Sequence, residues 1–296
     1  MGKMIIDRPV MEKPDHKNHR FPLTEFVDLF DSFANRSFSS HWHHELEIQI
    51  ILEGCAEYTV NGTSYVVKAG NAIYIAPEVV HMARALEENT IGYDIVLLPR
   101  VLIDLMHSIG CEKYSLPLTT QWPEAVLITA DRKENHSILE SMKRMYYTDS
   151  AHFTYELVLL ESLISIWRNL ISIFPQHGRD TKDSSKALRE QRMKVMLDYI
   201  WKNYTQPVTI QDIASAASVS KSECFRCFAE LSKVSPMEYI NQYRLQQAAN
   251  LLVLTSKSIS DICYSAGFNS SSYFSKKFNE QYGMSPKAYR ASRGQR

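Results

Sequence analysis

The hydrophobic positions of this 296-residue chain change their spacing once along the sequence, and the change separates two structural regions. From Leu46 to Leu98, short runs of alternating apolar and polar residues are separated by glycines and prolines, which is typical of β-strands joined by turns. From Asn135 onward the apolar residues recur every three or four positions, which predicts helices. The sequence therefore predicts an N-terminal β region followed by helical segments.

Five strands are predicted in the β region, with a hairpin turn between two of them. Asn61 and Gly62 supply the hairpin signal, because both residue types adopt the positive φ angles of a type I′ turn. Several short strands separated by turns favour a small barrel or sandwich. The predicted strands are Leu46–Leu52, Glu57–Val60, Ser64–Val67, Ala72–Ile75 and Gly92–Leu98.

A helix beginning near Phe153 carries apolar residues in alternating steps of four and three. The resulting seam consists of Phe153, Leu157, Leu160, Ile164, Trp167, Ile171 and Phe174. Such a seam is typical of paired helices, so residues 135–174 are predicted to form a helical dimerisation segment. Leu163, Ile166 and Leu170 widen the apolar face, and packing of this helix on its own β region stays open as the alternative.

One pattern occurs twice between residues 210 and 290, with an offset of about 50 residues. The first copy consists of Ile213-Ala214, Ser220, Cys224, Arg226, Phe228, Ser235-Pro236 and Tyr239. The second copy consists of Ile262-Cys263, Gly267-Phe268, Phe274, Lys276, Phe278, Ser285-Pro286 and Tyr289. Each copy predicts a short helix, a tight turn and a second helix, and two such units side by side predict DNA binding.

Each second helix is predicted to begin at a serine and to turn polar residues toward solvent. Ser220 and Ser270 are suited to N-cap these helices. An arginine can bond the edge of a guanine in the major groove, and a serine can bond bases or phosphates. The residues predicted to project outward are Ser222, Glu223, Phe225, Arg226, Ser271, Ser272, Ser275 and Lys276.

The charge distribution indicates a nucleic-acid partner for the C-terminal part alone. The formal net charge of the whole chain is zero. Residues 188–296 contain 15 Lys and Arg against 8 Asp and Glu, whereas the remainder contains 18 against 25. A basic C-terminal part on an acidic N-terminal part is typical of a DNA-binding module joined to a module that does not bind DNA.

The five cysteines are scattered, and no secretory signal precedes them, which argues against a disulfide framework and favours the cytoplasm. Cys224 and Cys227 match the C-x-x-C spacing of redox and metal sites. A single such pair inside a helix is weak support for either role. No apolar stretch reaches the roughly 18 residues that span a bilayer, so no membrane partner is expected.

Residues 188–296 resemble the DNA-binding domain of the AraC/XylS family of bacterial transcription regulators. Beyond the repeat, the resemblance rests on Gly267-Phe268, Tyr273-Phe274 and the ending Gly283-Met284-Ser285-Pro286-Lys287-Ala288-Tyr289-Arg290. It implies helix-turn-helix units near 208–229 and 258–279, a long helix over Pro236–Leu254 between them, and recognition helices in successive major grooves. The DNA-contacting residues that it implies are Ser222, Arg226, Ser271, Ser272, Ser275 and Lys276.

A polar motif in the β region resembles that of the cupin barrel. It consists of His41, His43, Glu47 and Gly54 and of an incomplete second half with Gly70, Pro77 and His81. In a strand, His41, His43 and Glu47 would share one face, and His81 would come from a neighbouring strand. Three imidazoles and one carboxylate could hold a divalent transition metal. A small-molecule pocket and a satisfied hydrogen-bond network stay open as alternatives.

These observations predict a multidomain α and β protein. Its segments are a mobile arm (1–20), a cupin-like ligand-sensing barrel (21–134), the helical dimerisation segment (135–174), a linker (175–187) and an all-α DNA-binding domain (188–296). The predicted function is a sequence-specific cytoplasmic transcription regulator, not an enzyme, controlled by a small molecule such as a sugar in the barrel. The predicted partners are double-stranded DNA, a second copy of the chain and, for an activator, RNA polymerase, with no required cofactor. A metal-dependent cupin enzyme with a DNA-binding appendage is the alternative.

Overall fold

The computed structural model describes residues 23–115, 123–174 and 184–293. The predicted mobile arm (1–20) and most of the predicted linker (175–187) lie outside the described residues. Within these residues, nine strands form two antiparallel sheets with the orders β1-β8-β3-β6-β9 and β2-β7-β4-β5. The strands are β1 Leu23–Leu29, β2 Ser37–His41, β3 Leu46–Glu53, β4 Cys55–Val60, β5 Thr63–Lys68, β6 Ala72–Ile75, β7 His81–Ala85, β8 Ile91–Leu97 and β9 Ala125–Ile128. These sheets are called the β domain below.

All five predicted strands are present, each with ends within two residues of the prediction. Asn61 and Gly62 have φ angles of 47° and 84° and join β4 to β5, which confirms the predicted hairpin turn. The prediction missed β1, β2, β7 and β9. In β1 the cause is visible, because Thr24 and Asp28 are buried polar residues that interrupt the expected alternation.

The two sheets share one apolar core. Tyr58 from β4 and Tyr74 from β6 are almost fully buried in it, so both rings are core residues and not surfaces for stacking a sugar. Strands β3 and β6 pair in the five-stranded sheet, and most of their residues are buried. This packing leaves little empty volume inside the β domain.

Three helices pack on the β domain core: α1 Pro99–Ser108, which lies between β8 and β9 in the chain, and α2 His136–Tyr147 and α3 Tyr155–Ile173, which follow β9. Helix α3 turns a stripe inward that consists of Leu159, Leu163, Ile166, Leu170 and Ile173. Trp167, one of the predicted seam residues, is also buried and donates its indole N–H to the carbonyl of Tyr114 at 3.0 Å. Packing of this helix on its own β domain, the alternative in the sequence analysis, is therefore what the structure shows.

The predicted helical seam is divided between two environments. Its C-terminal residues Trp167 and Phe174 are buried, whereas Phe153 and Leu157 near the start of α3 are exposed. The heptad spacing could not distinguish residues that pack on the β domain from residues that face solvent. An inward stripe and an outward seam overlap on a helix that is apolar around much of its circumference. The most exposed part of the predicted seam is therefore at the start of α3, and Leu160, Ile164 and Ile171 are half-buried.

The rest of the described chain is helical. Its helices are α4 Ser184–Asn203, α5 Ile210–Ala216, α6 Lys221–Leu231, α7 Pro236–Leu254, α8 Ile259–Ser265, α9 Ser271–Tyr282 and α10 Pro286–Arg293. Helices α5 and α6 form the first helix-turn-helix unit, and α8 and α9 form the second. Helix α7 joins them over the predicted residues, whereas α4 begins at Ser184, inside the segment predicted as a linker. Lys186, Arg189 and Glu190 lie in the first turns of α4, so the apolar spacing did not indicate this start.

Side-chain caps define where these helices begin. Ser220 accepts a hydrogen bond from the backbone N–H of Glu223, and Ser270 accepts one from Tyr273, which confirms both predicted N-caps. Thr209, Ser235 and Ser258 cap α5, α7 and α8 in the same way. Each cap satisfies one orphan N–H and fixes the direction in which the helix leaves the turn. The repeat is thus encoded by capping residues as well as by apolar ones.

A glycine at the turn of the second unit lets two segments approach closely. Gly267 has a φ of 84°, and a Cβ at this position would collide with the carbonyl oxygen of Tyr204 and lie 3.0 Å from the Cα of Thr205. Arg244 of α7 closes the same junction by donating to the carbonyls of Tyr204 and Gln206, each at 2.7 Å. Gly267 therefore allows the second unit to pack against the loop after α4.

Gly267→Ala is expected to lower the free energy of unfolding by about 2–4 kcal/mol, because both the backbone conformation and the close approach exclude a Cβ. Gly283→Ala is the matched control, since Gly283 also has a positive φ of 69° but has no atom within 4 Å of the added Cβ. Its expected loss is about 1 kcal/mol. Chemical denaturation followed by circular dichroism measures both, and equal losses would contradict the close approach.

Candidate DNA interface and effector site

The recognition helix of the first unit, α6, has a buried face and an exposed face. Cys224, Cys227, Phe228 and Leu231 are buried against the unit's own core. This spacing turns Ser222, Phe225 and Arg226 toward solvent. Ser222 and Arg226 therefore lie where the sequence analysis placed them, on the face that a major groove would meet.

Arg226 is held in an ion-pair network before any DNA is bound. Its guanidinium pairs with Glu223 one turn earlier, and Arg192 of α4 pairs with the same carboxylate at 3.0 Å. Glu223 was predicted to project outward, which is wrong, since its side chain is mostly buried between these two arginines. Burial raises the pKa of Glu223, but the hydrogen bonds and charges of the two arginines outweigh it and hold the pKa below its ordinary value.

The recognition helix of the second unit, α9, is anchored by Phe274 and Phe278, which are fully buried. Ser272 and Lys276 are exposed, and Ser271 and Ser275 are half-buried along the same side. The Lys276 ammonium lies 4.0 Å from Glu280, at the limit of an ion pair. Both recognition helices therefore carry a cationic side chain that can reach DNA.

The sequence analysis identified no DNA role for two exposed aromatic residues. Phe225 on α6 is 46% exposed and Tyr273 on α9 is 44% exposed, although aromatic residues are usually buried. Exposed aromatic side chains on a recognition helix can contact the methyl group of thymine or the edge of a base. The outward position of Phe225 was predicted, whereas Tyr273 was not singled out, although it directly precedes the buried Phe274 and so points away from the core.

The C-x-x-C pair of α6 is a packing feature. Cys224 and Cys227 are free and buried, and burial raises the pKa of each thiol to about 11. A thiol with a raised pKa is a poor nucleophile and metal ligand at neutral pH. Burial also raises the pKa of the Cys263 thiol, which lies on α8, the first helix of the second unit.

The polar motif of the β domain forms one cluster, called the polar cluster below: His41, His43, Glu47 and His81. One ligating atom from each of these residues lies within 4.8 Å of the others. The prediction that three of them share one strand face is wrong. His41 ends β2, His43 lies in the following connection, Glu47 is in β3 of the other sheet, and His81 begins β7 beside His41.

Each imidazole of the polar cluster is oriented by a backbone carbonyl. The Nδ1 atom of His41 lies 2.9 Å from the carbonyl oxygen of Ser39, and that of His81 lies 2.8 Å from Val79. The Nδ1 atom of His43 lies 3.1 Å from the carbonyl oxygen of Glu45. Because a carbonyl oxygen only accepts, these contacts require a proton on Nδ1, which leaves the Nε2 lone pair of a neutral ring available.

The Nε2 atoms converge on a carboxylate. Oxygen Oε2 of Glu47 lies 3.1 Å from Nε2 of His43 and 3.3 Å from Nε2 of His81. Burial, followed by the neighbouring rings of His81 and His43, holds the pKa of His41 well below its ordinary value, so this ring is neutral at pH 7. Imidazoles oriented by carbonyls around a carboxylate form a set of donors that could hold a transition-metal ion.

The space beside the polar cluster is small. A cavity of about 10 Å³ is lined by Asp28, Phe38, His41, Glu47, Gln49, Tyr58, His81 and Ala83. This volume corresponds to a single water molecule. A larger groove of about 290 Å³ lies outside the β domain, between the β4–β5 turn and helices α4 and α6, and includes Lys186, Arg189 and Lys233.

Two family models match the regions described above. The model described as AraC-like ligand binding domain matches residues 26–147, and the model described as helix-turn-helix domain matches residues 213–292. The uncharacterized HTH-type transcriptional regulator YdeC of Bacillus subtilis is 28% identical over 294 residues, which cover 98% of this chain and 99% of the relative. This chain belongs to the AraC family. It is a DNA-binding transcription regulator with an N-terminal ligand-binding domain.

Other matches also extend over nearly the full length of this AraC-family chain. The melibiose operon regulatory protein of Escherichia coli is 26% identical and covers 95% of each chain. The crystal structure of ToxT from Vibrio cholerae covers 93% of this chain and 99% of its own, with 14% identity and a TM-score of 0.45. Among the described residues, no helix has both the length and the apolar character that crossing a bilayer requires.

Arg226→Ala is expected to weaken specific DNA binding by about 1–3 kcal/mol and to relax base preference at one operator position, because a guanidinium can bond two acceptors of guanine. Arg226→Lys keeps the charge but not the fork, and is expected to restore only part of the affinity. Fluorescence anisotropy against the operator and single-base variants measures both. A uniform loss over all sequences would instead identify a phosphate contact.

Lys276→Ala is expected to reduce the slope of log affinity against log salt concentration by about one, because one phosphate contact releases about one counterion. Lys277→Ala is the matched control on the neighbouring position, since Lys277 pairs with Glu280 at 2.7 Å. Titrations at several salt concentrations give both slopes. An unchanged slope in Lys276→Ala would exclude the phosphate contact.

Proposed function

We propose that this regulator binds its operator as a homodimer and that an effector held by the β domain controls the docking of its first helix-turn-helix unit. One observation carries the proposal. Val80, at the entry to β7, lies in the core of the first helix-turn-helix unit and not in that of the β domain. A change of shape in the β domain therefore acts directly on the packing of a DNA-binding unit.

The two halves also meet through polar contacts. The side-chain amide of Asn61, in the β4–β5 turn, donates to Glu190 of α4 at 3.1 Å. Lys186 of α4 pairs with Glu124 at 3.2 Å. Interfaces of this polar kind rearrange more readily than apolar ones, which suits a regulator that moves between two arrangements.

The proposed DNA contacts are those of the two recognition helices. Ser222 and Arg226 of α6 and Ser271, Ser272, Ser275 and Lys276 of α9 supply them, with base contacts expected from Arg226 and phosphate contacts from Lys276. Helix α7 holds the two units at a fixed separation, which supports binding to two successive major grooves. Action in the cytoplasm and contact with RNA polymerase belong to this proposal, as for a regulator that activates.

A sugar effector is supported by the name of one relative, the melibiose operon regulatory protein. The interior of the β domain does not favour it, because the cavity at the polar cluster has the volume of one water molecule. The groove of about 290 Å³ is close to the lower size limit of organic ligand sites. These volumes favour a small effector inside the β domain, and any organic ligand would have to bind in that groove instead.

The competing function is a metal-dependent cupin enzyme with a DNA-binding appendage. The polar cluster favours it chemically, since three imidazoles and a carboxylate can activate a bound water or substrate. A cavity that admits only a water-sized group favours a binding site over a catalytic one, because a substrate needs access to the reacting centre. Turnover of any substrate by the metal-loaded protein would support the enzyme.

The function is tested with the full-length protein and DNA from upstream of its own and neighbouring genes. A footprint that survives excess nonspecific competitor at moderate salt is expected, because base contacts add to the electrostatic term. The double variant Arg226→Ala/Lys276→Ala is expected to lose the footprint. Binding that disappears with competitor in the wild type at every effector concentration tried would contradict the proposed function.

Leu157→Glu is expected to weaken self-association by about tenfold or more, because it puts a charge into the exposed start of α3. Leu254→Glu is the matched control, since Leu157 is 65% exposed and Leu254, on α7, is 68% exposed. Sedimentation velocity over a concentration series measures the dimer fraction without DNA. Equal dimer fractions in both variants and the wild type would contradict a dimer interface on α3.

A further inference from the structure

We propose that the polar cluster binds one divalent transition-metal ion and that its occupancy sets how the first helix-turn-helix unit docks on the β domain. The inference rests on the proposed function, because it names the effector class and the route by which that effector acts. Metal binding and DNA binding are measured separately, so the two can fail independently.

The first step concerns the Nε2 atoms of the polar cluster. Oxygen Oε2 of Glu47 lies within hydrogen-bond distance of Nε2 of His43, at 3.1 Å, and 3.3 Å from Nε2 of His81, while Nδ1 of each ring lies against a carbonyl oxygen. Nε2 of His81 is buried and makes no hydrogen bond of acceptable geometry to any described residue. Lone pairs that face one another in a buried site are stabilised by a cation between them.

Protonation of the imidazole rings would stabilise the polar cluster less well than a metal ion would. The ring centroids of His41 and His81 lie 4.3 Å apart, and those of His43 and His81 lie 5.0 Å apart. Two or three imidazolium rings at these separations repel one another. A single divalent ion supplies the positive charge at one point and is bound by all of them.

The second step concerns charge and size. Asp28 and Glu47 both line the cavity, and no lysine or arginine is among the described residues that line it. Two carboxylates in so small a space favour a compact cation over an organic ligand. Ligand atoms about 2.0–2.2 Å from an ion lie at most about 4.4 Å from one another, so a cluster within 4.8 Å needs only a small contraction.

The third step identifies the kind of ion. Imidazole nitrogen is a preferred ligand of zinc, nickel, cobalt, copper and iron, whereas magnesium and calcium are bound mainly by oxygen. Three nitrogens and one carboxylate oxygen therefore select the transition metals. Each ring already has its Nδ1 fixed by a carbonyl, which is the support that metal-bound histidines usually have.

The fourth step connects the polar cluster to the DNA-binding half. Trp42 lies between His41 and His43, and Val80 directly precedes His81. The rings of Trp42 and Trp201 of α4 have centroids 6.3 Å apart, and both Trp42 and Val80 pack in the core of the first helix-turn-helix unit. In residues 41–43 and in residues 80–81, members of the polar cluster are therefore next in sequence to a residue that packs in the core of the first helix-turn-helix unit.

A hydrogen-bonded chain follows the same route. Trp201 donates its indole N–H to the hydroxyl of Tyr239 at 3.0 Å, and that hydroxyl donates to the carbonyl of Ser40 at 2.6 Å. The hydroxyl of Ser40 in turn lies 3.4 Å from the carbonyl of Leu231, at the end of recognition helix α6. Contraction of the cluster around an ion moves Ser40, Trp42 and Val80 through the backbone they share with the ligands.

Metal binding is tested on the full-length, untagged protein after chelator treatment, with Zn²⁺ by calorimetry and Co²⁺ by visible absorption. One equivalent is expected to bind, and His43→Ala and Glu47→Gln are expected to weaken binding about 100-fold or more. His44→Ala is the matched control, because its ring is exposed and pairs with Glu78 outside the cluster. No saturable binding, or an equal loss in His44→Ala, would overturn the metal site.

Coupling is tested by measuring operator affinity with and without one equivalent of Zn²⁺. The wild type is expected to change its affinity by about 5- to 150-fold, and operator DNA is expected to change Zn²⁺ affinity by the same factor. Trp42→Ala is expected to bind Zn²⁺ as the wild type does but to lose this change. Tyr147→Ala, which removes an exposed aromatic residue of α2, is the control and is expected to keep it.

The outcomes separate the parts of the inference. A wild type that binds Zn²⁺ with unchanged operator affinity would overturn the coupling and leave the metal site in place. A Trp42→Ala variant that keeps the full effect would overturn the route through this residue. A protein that binds Co²⁺ in the cluster but no DNA specifically would contradict the proposed function alone.

Discussion

The insertion of Trp42 and Val80 of the β domain into the core of the first helix-turn-helix unit is the contact on which the arrangement of the molecule depends. It makes the first DNA-binding unit incomplete without the β domain, because part of its apolar core is supplied from outside its own sequence. The second unit has no such contribution, and its core consists of residues from α7 to α10. The two helix-turn-helix units therefore differ in how the β domain acts on them. A signal from the β domain reaches the first unit through its apolar core, and the second unit through α7 and through the contact of Ala34–Arg36 with α9.

The helix-turn-helix half could be predicted nearly completely from the sequence, because its information is local. Capping serines such as Ser220 and Ser270 fix helix starts, and Pro236 begins α7 where the chain must turn. Lys233 shows the limit of this reasoning. It has a φ of 60° where the second unit has Gly283, so a strained conformation persists without the residue that usually accommodates it, held by packing on both sides.

The β domain was predicted in part, and its site only as a set of residues. The motif found the four members of the polar cluster but placed three of them on one strand, whereas the chain leaves β2 after His41 and enters the other sheet at β3. Turns of this kind depend on which sheet a strand joins, and that depends on contacts distant in sequence. The same limit applies to Trp42. The local sequence does not indicate whether the Trp42 ring packs in a core, stacks on a sugar or lies in an interface. Its partner ring, Trp201, lies about 160 positions away.

The placement of polar residues inside the β domain has an energetic consequence for control. Asp28 and Glu47 are buried in a nearly filled core, and Gln49 donates to Asp28 beside them. Buried carboxylates are costly, and the free energy gained when a cation neutralises them is large relative to the few kcal/mol that separate two docking arrangements. A site of this kind needs no large movement to act. The cluster and the interface share the backbone of residues 40–43 and 79–81, so a small displacement of the ligands also moves Trp42 and Val80, and a close-packed interface responds to such a displacement by repacking.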